Sequence, residues 1–144
     1  MRDINVKRPI LGPFMSVICF RYLHDGATDL AGRALVVDAG RQRGQDLVEE
    51  LGLQGNFSGT DDLLKSLQNA LGPDGTKLCL IGQITQTEEG GFEVHATESA
   101  SSIYTLGVLT GAISGITGKT MLGEEVNVSD KDEVESHIYA MKPL

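Results

Sequence analysis

The sequence predicts an α+β fold, an antiparallel sheet of four to five strands with helices mainly on one face. Two pairs of alternating segments, 77–87 with 92–97 and 120–128 with 134–141, are each joined by a short polar turn, as in β-hairpins. The segments before and between these pairs show helical spacing. Because 144 residues suffice for one core, we expect a single domain over residues 1–144.

The first part of the chain is predicted to contain an arm and a strand. Residues 1–13 include two prolines and a glycine, which favours an irregular N-terminal arm. The segment Phe14–Leu23 is short and rich in β-branched and aromatic residues, which is typical of a strand. Asp25 and Gly26 are expected to close it.

Helical spacing continues from Thr28 to Leu51, with Thr28 as the expected N-cap and Gly52 as the stop. One long helix, or two helices broken near Gly40, satisfies this pattern. The stretch from Gly40 to Gly44 also permits an alternative, a strand followed by a phosphate-binding loop. It lacks the third glycine of a dinucleotide fingerprint and the Lys-Ser/Thr pair of a P-loop, so the helical interpretation is favoured.

The next elements are a helix and the first hairpin. Thr60 is the expected cap of a short amphipathic helix that ends at Gly72. In the first hairpin, Phe92 and the next two apolar residues alternate with polar neighbours. The same period-2 pattern in both hairpins places His95 and His137 on outward, solvated positions.

The segment Ser99–Gly118 carries no charge, yet it is too polar to span a membrane and is expected to be a buried helix. Three of its glycines, Gly107, Gly111 and Gly115, are spaced four apart and form a bare stripe. Glycines in a helix interior are costly, which indicates close approach by another backbone. Gly40 and Gly44 repeat the spacing, so we expect these two helices to cross closely.

Composition and motifs exclude several functions. The formal net charge of −8 opposes phosphate binding, so nucleic acid is an unexpected partner. Cys19 and Cys79 lie in apolar runs and are expected to be buried, and the scattered histidines predict no metal site. Serines 99, 101 and 102 precede a helix and are interpreted as capping residues. Because no signal peptide or catalytic motif is present, we expect a cytoplasmic protein with no catalytic residues.

Two blocks resemble the 4-vinyl reductase, or hydrocarbon-binding, domain family: Val37–Gly44, and Tyr104–Lys119 followed by Gly123-Glu-Glu125. The resemblance is greatest to small cyanobacterial members. It implies a fold shared with TRAPP vesicle-tethering subunits, a dimer, a hydrophobic pocket, and a role in handling photosynthetic tetrapyrroles or bilins. Many members have two cysteines where this chain has Val128 and Ser136, so a metal or thiol function of that hairpin is not expected.

These observations lead to a functional hypothesis. The chain is expected to be a homodimer that binds a hydrophobic small molecule, a tetrapyrrole, bilin or lipid-like ligand, without catalysis. The candidate ligand-binding residues are Arg41, Tyr104, Gly107 and Gly111, with packing favoured at Gly111 and a cavity nearer Tyr104. The alternative is that neither residue binds a ligand: Arg41 is then a surface residue and Tyr104 an ordinary core residue. Two other functions stay open: a ligand-free dimeric assembly factor, and a component of tetrapyrrole vinyl reduction that needs an external reductant.

Overall fold

The computed structural model describes residues 8–12, 17–131 and 134–144. The elements in chain order are α1 Val17–Ala31, α2 Arg33–Glu50, α3 Thr60–Leu71, β1 Leu80–Gln86, β2 Phe92–Thr97, α4 Ser102–Thr117, β3 Met121–Lys131 and β4 Val134–Pro143. The described strands form one antiparallel sheet in the order β1-β2-β4-β3. This arrangement confirms the α+β class and both hairpins.

The core lies between the sheet and helices α3 and α4. On β2, the alternation of Phe92, Val94 and Ala96 points inward as expected, and each of these side chains is buried. They belong to one cluster with the buried leucines of α3 and with Leu109 and Ile113 of α4. Burial of this apolar surface, at about 25 cal/mol per Å², is what stabilises the fold.

Helices α2 and α4 cross in direct backbone contact, as the glycine spacing predicts. A Cβ added at Gly107 would collide with the Val37 carbonyl oxygen, and one at Gly111 with the Arg41 carbonyl oxygen. From the other side, additions at Gly40 and Gly44 would meet the carbonyl oxygens of Tyr104 and Val108. We call this contact, formed by Gly40, Gly44, Gly107 and Gly111, the glycine seam.

The predicted N-terminal strand is wrong, because residues 17–31 form helix α1 and the helix continues through Asp25-Gly26. A helix places Phe20 and His24 one turn apart, and both rings contact Tyr104. This packing overrides the β-propensity of the segment. Residues 14–16 of the predicted strand lie outside the described residues, as does the side chain of Cys19.

The long helical segment is divided at Gly32 and not near Gly40. Gly32 has φ of +89°, a conformation that favours glycine, whereas Gly40 stays helical in the seam. Thr28 lies inside α1 and its hydroxyl donates to the His24 carbonyl, so it is not an N-cap. Because residues 33–50 are helical, the alternative of a strand and phosphate loop is also wrong.

The remaining element boundaries differ little from the prediction. Helix α3 ends at Gly72 as expected, but its N-cap is Gly59 and Thr60 is its first residue. Strand β1 begins at Leu80, three residues later than predicted. Residues 1–7 and 13 of the expected arm and residues 132–133 of the second turn lie outside the described ranges.

The described part of the arm is attached to the domain. The backbone N–H groups of Ile10 and Leu11 donate to Glu98 Oε1 at 2.8 and 3.0 Å, and Arg8 Nε donates to the Glu98 carbonyl. Across the described ranges, none of the helices is long and apolar enough to cross a membrane.

Candidate functional site

Two cavities meet at the side chain of Tyr104, near the start of α4. The inner cavity, about 190 Å³, is lined by Arg43, Leu47, Leu71, Thr76, Leu78, Tyr104 and Val108. The outer cavity, about 240 Å³, is lined by Leu23, His24, Ala27, Leu35, Val36, Ala39 and Tyr104. Both are mostly apolar, and Tyr104 forms the wall that they share.

Three parts of the chain build the inner cavity. Arg43 and Leu47 lie one turn apart on α2, and Tyr104 and Val108 one turn apart on α4, so each pair shares a helix face. The third wall comes from the end of α3 and the connection that follows it. Because the glycine seam fixes α2 against α4, these larger side chains diverge beside it and leave space between them.

The polar groups of the inner cavity are few. Thr76 Oγ1 is buried and has no hydrogen-bond partner among the described residues. Such an orphan hydroxyl costs roughly 1 to 3 kcal/mol until a partner arrives, and it can donate as well as accept. Arg43 Nη1 lies 3.2 Å from Glu50 Oε1 at the protein surface. Burial raises the pKa of the Tyr104 hydroxyl, an effect that the positive charge of Arg43 partly opposes.

The outer cavity is more open than the inner one. Leu23 and Leu35 at its rim are 69% and 56% exposed. The His24 ring packs against Phe20 and edge-on to Tyr104, with ring centroids 4.1 and 4.9 Å away. Burial lowers the pKa of His24 although Asp25 opposes this, so the ring is neutral at pH 7.

Of the predicted ligand-binding residues, the structure brings only Tyr104 to these cavities. Arg41 extends to the sheet, where its Nη1 donates to the Met121 carbonyl at 3.0 Å. Gly107 and Gly111 lie in the glycine seam, against backbone atoms of α2. Sequence reasoning missed Arg43 and Thr76, which are separated from Tyr104 by long stretches of chain and belong to no motif.

A polar cluster, distinct from the cavities, corrects the outward placement of His137. Its ring is 3% exposed and lies between two carboxylates, with Nδ1 3.2 Å from Glu125 Oε2 and Nε2 3.2 Å from Glu135 Oε1. Two guanidinium nitrogens of Arg21 donate to Glu135 at 3.0 and 3.1 Å. Tyr139, two residues further along β4, is fully buried and stacks on the His137 ring. Buried polar groups are tolerated on the inner face because each is hydrogen-bonded.

The serines predicted as capping residues do not cap α4 with their side chains. Ser101 occupies the N-cap position without a side-chain cap hydrogen bond, and Ser102 is the first residue of the helix. The Ser102 hydroxyl donates to Glu125 and lies 3.3 Å from His137 Nδ1. The Ser99 hydroxyl pairs with that of Thr105 at 2.7 Å.

The polar cluster fastens elements together. A serine, a histidine and a carboxylate that contact one another in this order are also the components of a catalytic triad. Here the serine proton is directed to Glu125, and neither cavity borders the cluster. Hydrogen bonds from His137 and Arg21 hold the pKa of Glu135 at about 2, against the opposing effect of burial. The cluster therefore connects α1 and α4 to β3 and β4.

An open cleft of about 430 Å³ between α2 and the end of α4 is lined by polar side chains, but its two carboxylates, on Asp46 and Glu49, are both exposed. Within the described ranges, no group of three or more His, Cys, Asp or Glu residues is arranged to hold a metal ion.

No protein-family model matches the sequence, and no curated protein matches it significantly. Solved structures do match the fold. A Cs H-NOX domain is 16% identical with a TM-score of 0.60, covering 90% of this chain and 74% of that one. An H-NOX structure from a study of heme distortion is 16% identical with a TM-score of 0.58, covering 97% and 79%. The phenol-responsive sensory domain of the transcription activator PoxR, with phenol, is 14% identical with a TM-score of 0.58, covering 90% and 75%.

These findings correct the family assignment made from sequence. The resemblance to the 4-vinyl reductase family is wrong, because no family model matches and the structural matches are H-NOX domains and a phenol-responsive sensory domain. The TRAPP-like fold and the photosynthetic setting that it implied have no support either. At 14 to 16% identity, the solved structures establish a shared fold.

The heme of the H-NOX study raises the question of fit. Pockets for drug-sized ligands measure about 300 to 1,000 Å³, and a heme is larger than most such ligands. The inner and outer cavities, at about 190 and 240 Å³, are both smaller than that range. With Tyr104 standing between them, neither cavity fits a whole heme.

Proposed function

We propose that this chain is a non-catalytic binding domain whose inner cavity takes a small apolar molecule, about one aromatic ring in size, bearing one hydrogen-bonding group. The observation that carries this proposal is a mostly apolar cavity with Thr76 in its lining, a residue whose buried hydroxyl lacks a partner among the described residues. A ligand with a polar group supplies the missing partner. The apolar walls accommodate the rest of the ligand.

The size of the cavity supports a single-ring ligand. An apolar cavity of about 150 Å³ in another protein is large enough to bind benzene. The inner cavity, at about 190 Å³, exceeds that volume by a margin that suits one small substituent.

The structural comparison supports the same ligand class indirectly. The PoxR domain that shares this fold is described as phenol-responsive and was solved with phenol. Fold likeness at 14% identity transfers no ligand by itself, so the ligand class is inferred from the cavity of this chain.

A tetrapyrrole or lipid-like ligand is the larger alternative, favoured by the fold shared with the H-NOX structure from the heme study. It requires the Tyr104 side chain to move so that the two cavities join. Mass spectrometry after denaturation of freshly purified protein, with a visible absorption spectrum, tests this directly. A stoichiometric tetrapyrrole would contradict the single-ring proposal.

The experiment that tests the proposal compares phenol with toluene, which has the same ring but no hydroxyl. We expect both to bind the wild-type protein in NMR titrations. In Thr76→Val, phenol binding weakens roughly 3- to 10-fold because one hydrogen bond is lost, while toluene binding is unchanged. Thr85→Val, at an exposed position of strand β1, is the matched control and leaves both affinities intact. If neither phenol nor toluene binds the wild-type protein, the proposal is rejected.

The ligand-free dimeric assembly factor loses part of its basis. The glycine-bearing faces of α2 and α4 pack against each other within the chain, so they are not open to a second copy. The homodimer stays a prediction, and light scattering at micromolar concentration tests it. Tetrapyrrole vinyl reduction likewise stays a prediction, tested by turnover of a vinyl substrate with an added reductant.

A further inference from the structure

The charge of the inner cavity lining restricts the ligand class further than the cavity volume alone does. Arg43 is the charged residue of that lining, and no carboxylate belongs to it among the described residues. This local positive charge stands out in a chain with a net charge of −8. Arg43 precedes Leu47 by one helical turn, so its stem follows the same face of α2 that lines the cavity.

The guanidinium of Arg43 has more N–H donors than its contact with Glu50 uses. Its described partner is Glu50, whose carboxylate lies 3.2 Å from Nη1, and the two side chains are 40% and 59% exposed. Ion pairs this exposed contribute little stability, and the guanidinium has five N–H donors in a planar fork. A ligand carboxylate at the cavity mouth can therefore take up the other donors, or displace Glu50.

A second donor belongs to a residue of the cavity lining. The Thr76 hydroxyl, buried and unpartnered among the described residues, can donate a hydrogen bond to a carboxylate oxygen. A carboxylate needs such partners, because a charge removed from water without them is strongly unfavourable. Carboxylates also match the planar geometry of arginine better than a hydroxyl does.

From this arrangement we infer that the inner cavity selects a small aromatic or apolar carboxylic acid, held by Arg43 at the mouth and by the Thr76 hydroxyl within. This inference rests on the proposed function, since it concerns the ligand of the same cavity. The apolar part of the acid packs against Leu47, Leu78 and Val108. Arg43 thus determines specificity for charge, and the apolar walls determine size.

The test uses benzoate and benzamide, which have nearly the same shape and differ in charge. In calorimetric titrations at low salt, we expect benzoate to bind the wild-type protein about tenfold more tightly than benzamide. The preference shrinks as salt rises, because the charge is near the surface. In Arg43→Gln the preference disappears while the affinity for benzamide changes less than about twofold.

Three further variants sharpen the interpretation. Arg43→Lys keeps the charge but loses the planar fork, so a reduced preference for benzoate remains. Glu50→Gln removes the competing carboxylate, and the affinity for benzoate rises about two- to threefold. Arg33→Gln changes the net charge equally but lies ten residues earlier on α2, about 15 Å away along the helix axis, and leaves the preference unchanged.

The outcomes separate the two claims. Equal binding of benzoate and benzamide to the wild-type protein, or an equal loss of both in Arg43→Gln, would overturn the selection of acids while leaving a single-ring site in place. Failure of benzoate, benzamide, phenol and toluene alike would overturn the proposed function together with this inference. Melting curves of each variant confirm that it is folded.

Discussion

Two flanks of helix α4 make opposite use of the space beside them. On one flank, Gly107 and Gly111 lie against the backbone of α2, so closely that a single added carbon would collide with a carbonyl oxygen. On the other flank, Tyr104 and Val108 border the inner cavity of about 190 Å³. Gly107 lies on one flank and Val108 on the other, so adjacent residues of the chain have opposite surroundings.

This contrast shows what a glycine repeat on a helix indicates. The repeat marks backbone contact, where no side chain fits, and not a space for a ligand. Space arises where large side chains diverge beside such a contact, because helices held close at one line must separate on either side of it. The flank of α4 with the larger residues is therefore the one with room.

The largest effect is expected from filling the seam. Gly111→Leu forces a side chain into the Arg41 carbonyl of α2, and overpacking of this kind costs about 1 to 3 kcal/mol or more. We expect a loss of stability at the upper end of this range, or failure to fold, because the backbone of α2 cannot move aside as a side chain can. Denaturant unfolding of variant and parent measures it.

A matched glycine provides the control for the seam. Gly26 lies inside α1, where an added Cβ meets no described atom within 4 Å. Gly26→Ala is expected to stabilise the protein by roughly 0.5 to 1 kcal/mol, as is usual in helix interiors. A Gly111→Leu variant as stable as the parent would show that the seam contains a cavity after all.

The next effect concerns the polar cluster that fastens α1 over Tyr104. Because the pKa of Glu135 is lowered from 4.5 to about 2, its contribution to stability is present above about pH 4.5 and is lost as the pH falls towards 2. Glu135→Gln should be less stable at pH 7 by about 1 to 3 kcal/mol and lose stability less steeply in acid. Urea unfolding between pH 2 and 7 measures both.

Glu93→Gln is the control for the acid prediction, because Glu93 is partly exposed and pairs with His95 on the other side of the sheet. This variant should follow the parent profile. If the parent and Glu135→Gln show the same dependence on pH, the ion pairs of Glu135 do not stabilise the fold.

The next prediction concerns the flank of α4 that borders the inner cavity. Val108→Phe adds a ring to a side chain that already borders the inner cavity. We expect a change in unfolding free energy smaller than about 1 to 2 kcal/mol, and phenol binding weakened more than tenfold. If Val108→Phe unfolded as readily as Gly111→Leu, the two flanks would not differ.

The smallest effect is expected at the orphan hydroxyl. Thr76→Val replaces it with a methyl group of similar size, which removes an unsatisfied buried polar atom. We expect stability to rise by about 0.5 to 1 kcal/mol, or roughly 2 to 4 °C in Tm for a chain of this length. A fall in Tm would indicate that the hydroxyl has a partner in solution.

Local patterns were sufficient for much of the fold. Alternation predicted both hairpins, and glycine spacing predicted the crossing of α2 and α4, because each signal is a spacing of residue types within a short segment. Helix α1 was missed since a short apolar run fits a strand as well as a helix. The contact of Phe20 and His24 with the distant Tyr104 favours the helix.

The site was less predictable than the fold. Tyr104 was among the candidate residues and borders both cavities, whereas Arg43 and Thr76 join it only through tertiary packing of three separate segments. His137 was misplaced because its alternation with Glu135 and Tyr139 looks like a polar surface. Its burial depends on charges from Arg21 and Glu125, which no local pattern reveals.

NMR can locate a ring that is bound in the inner cavity. With phenol added to isotope-labelled protein, we expect intermolecular NOEs from ring protons to methyl groups of Leu47, Leu78 and Val108, which line the inner cavity. The same NOEs should be absent in Val108→Phe. NOEs confined to Leu23 and Leu35 of the outer cavity, or none at saturating phenol, would contradict this expectation.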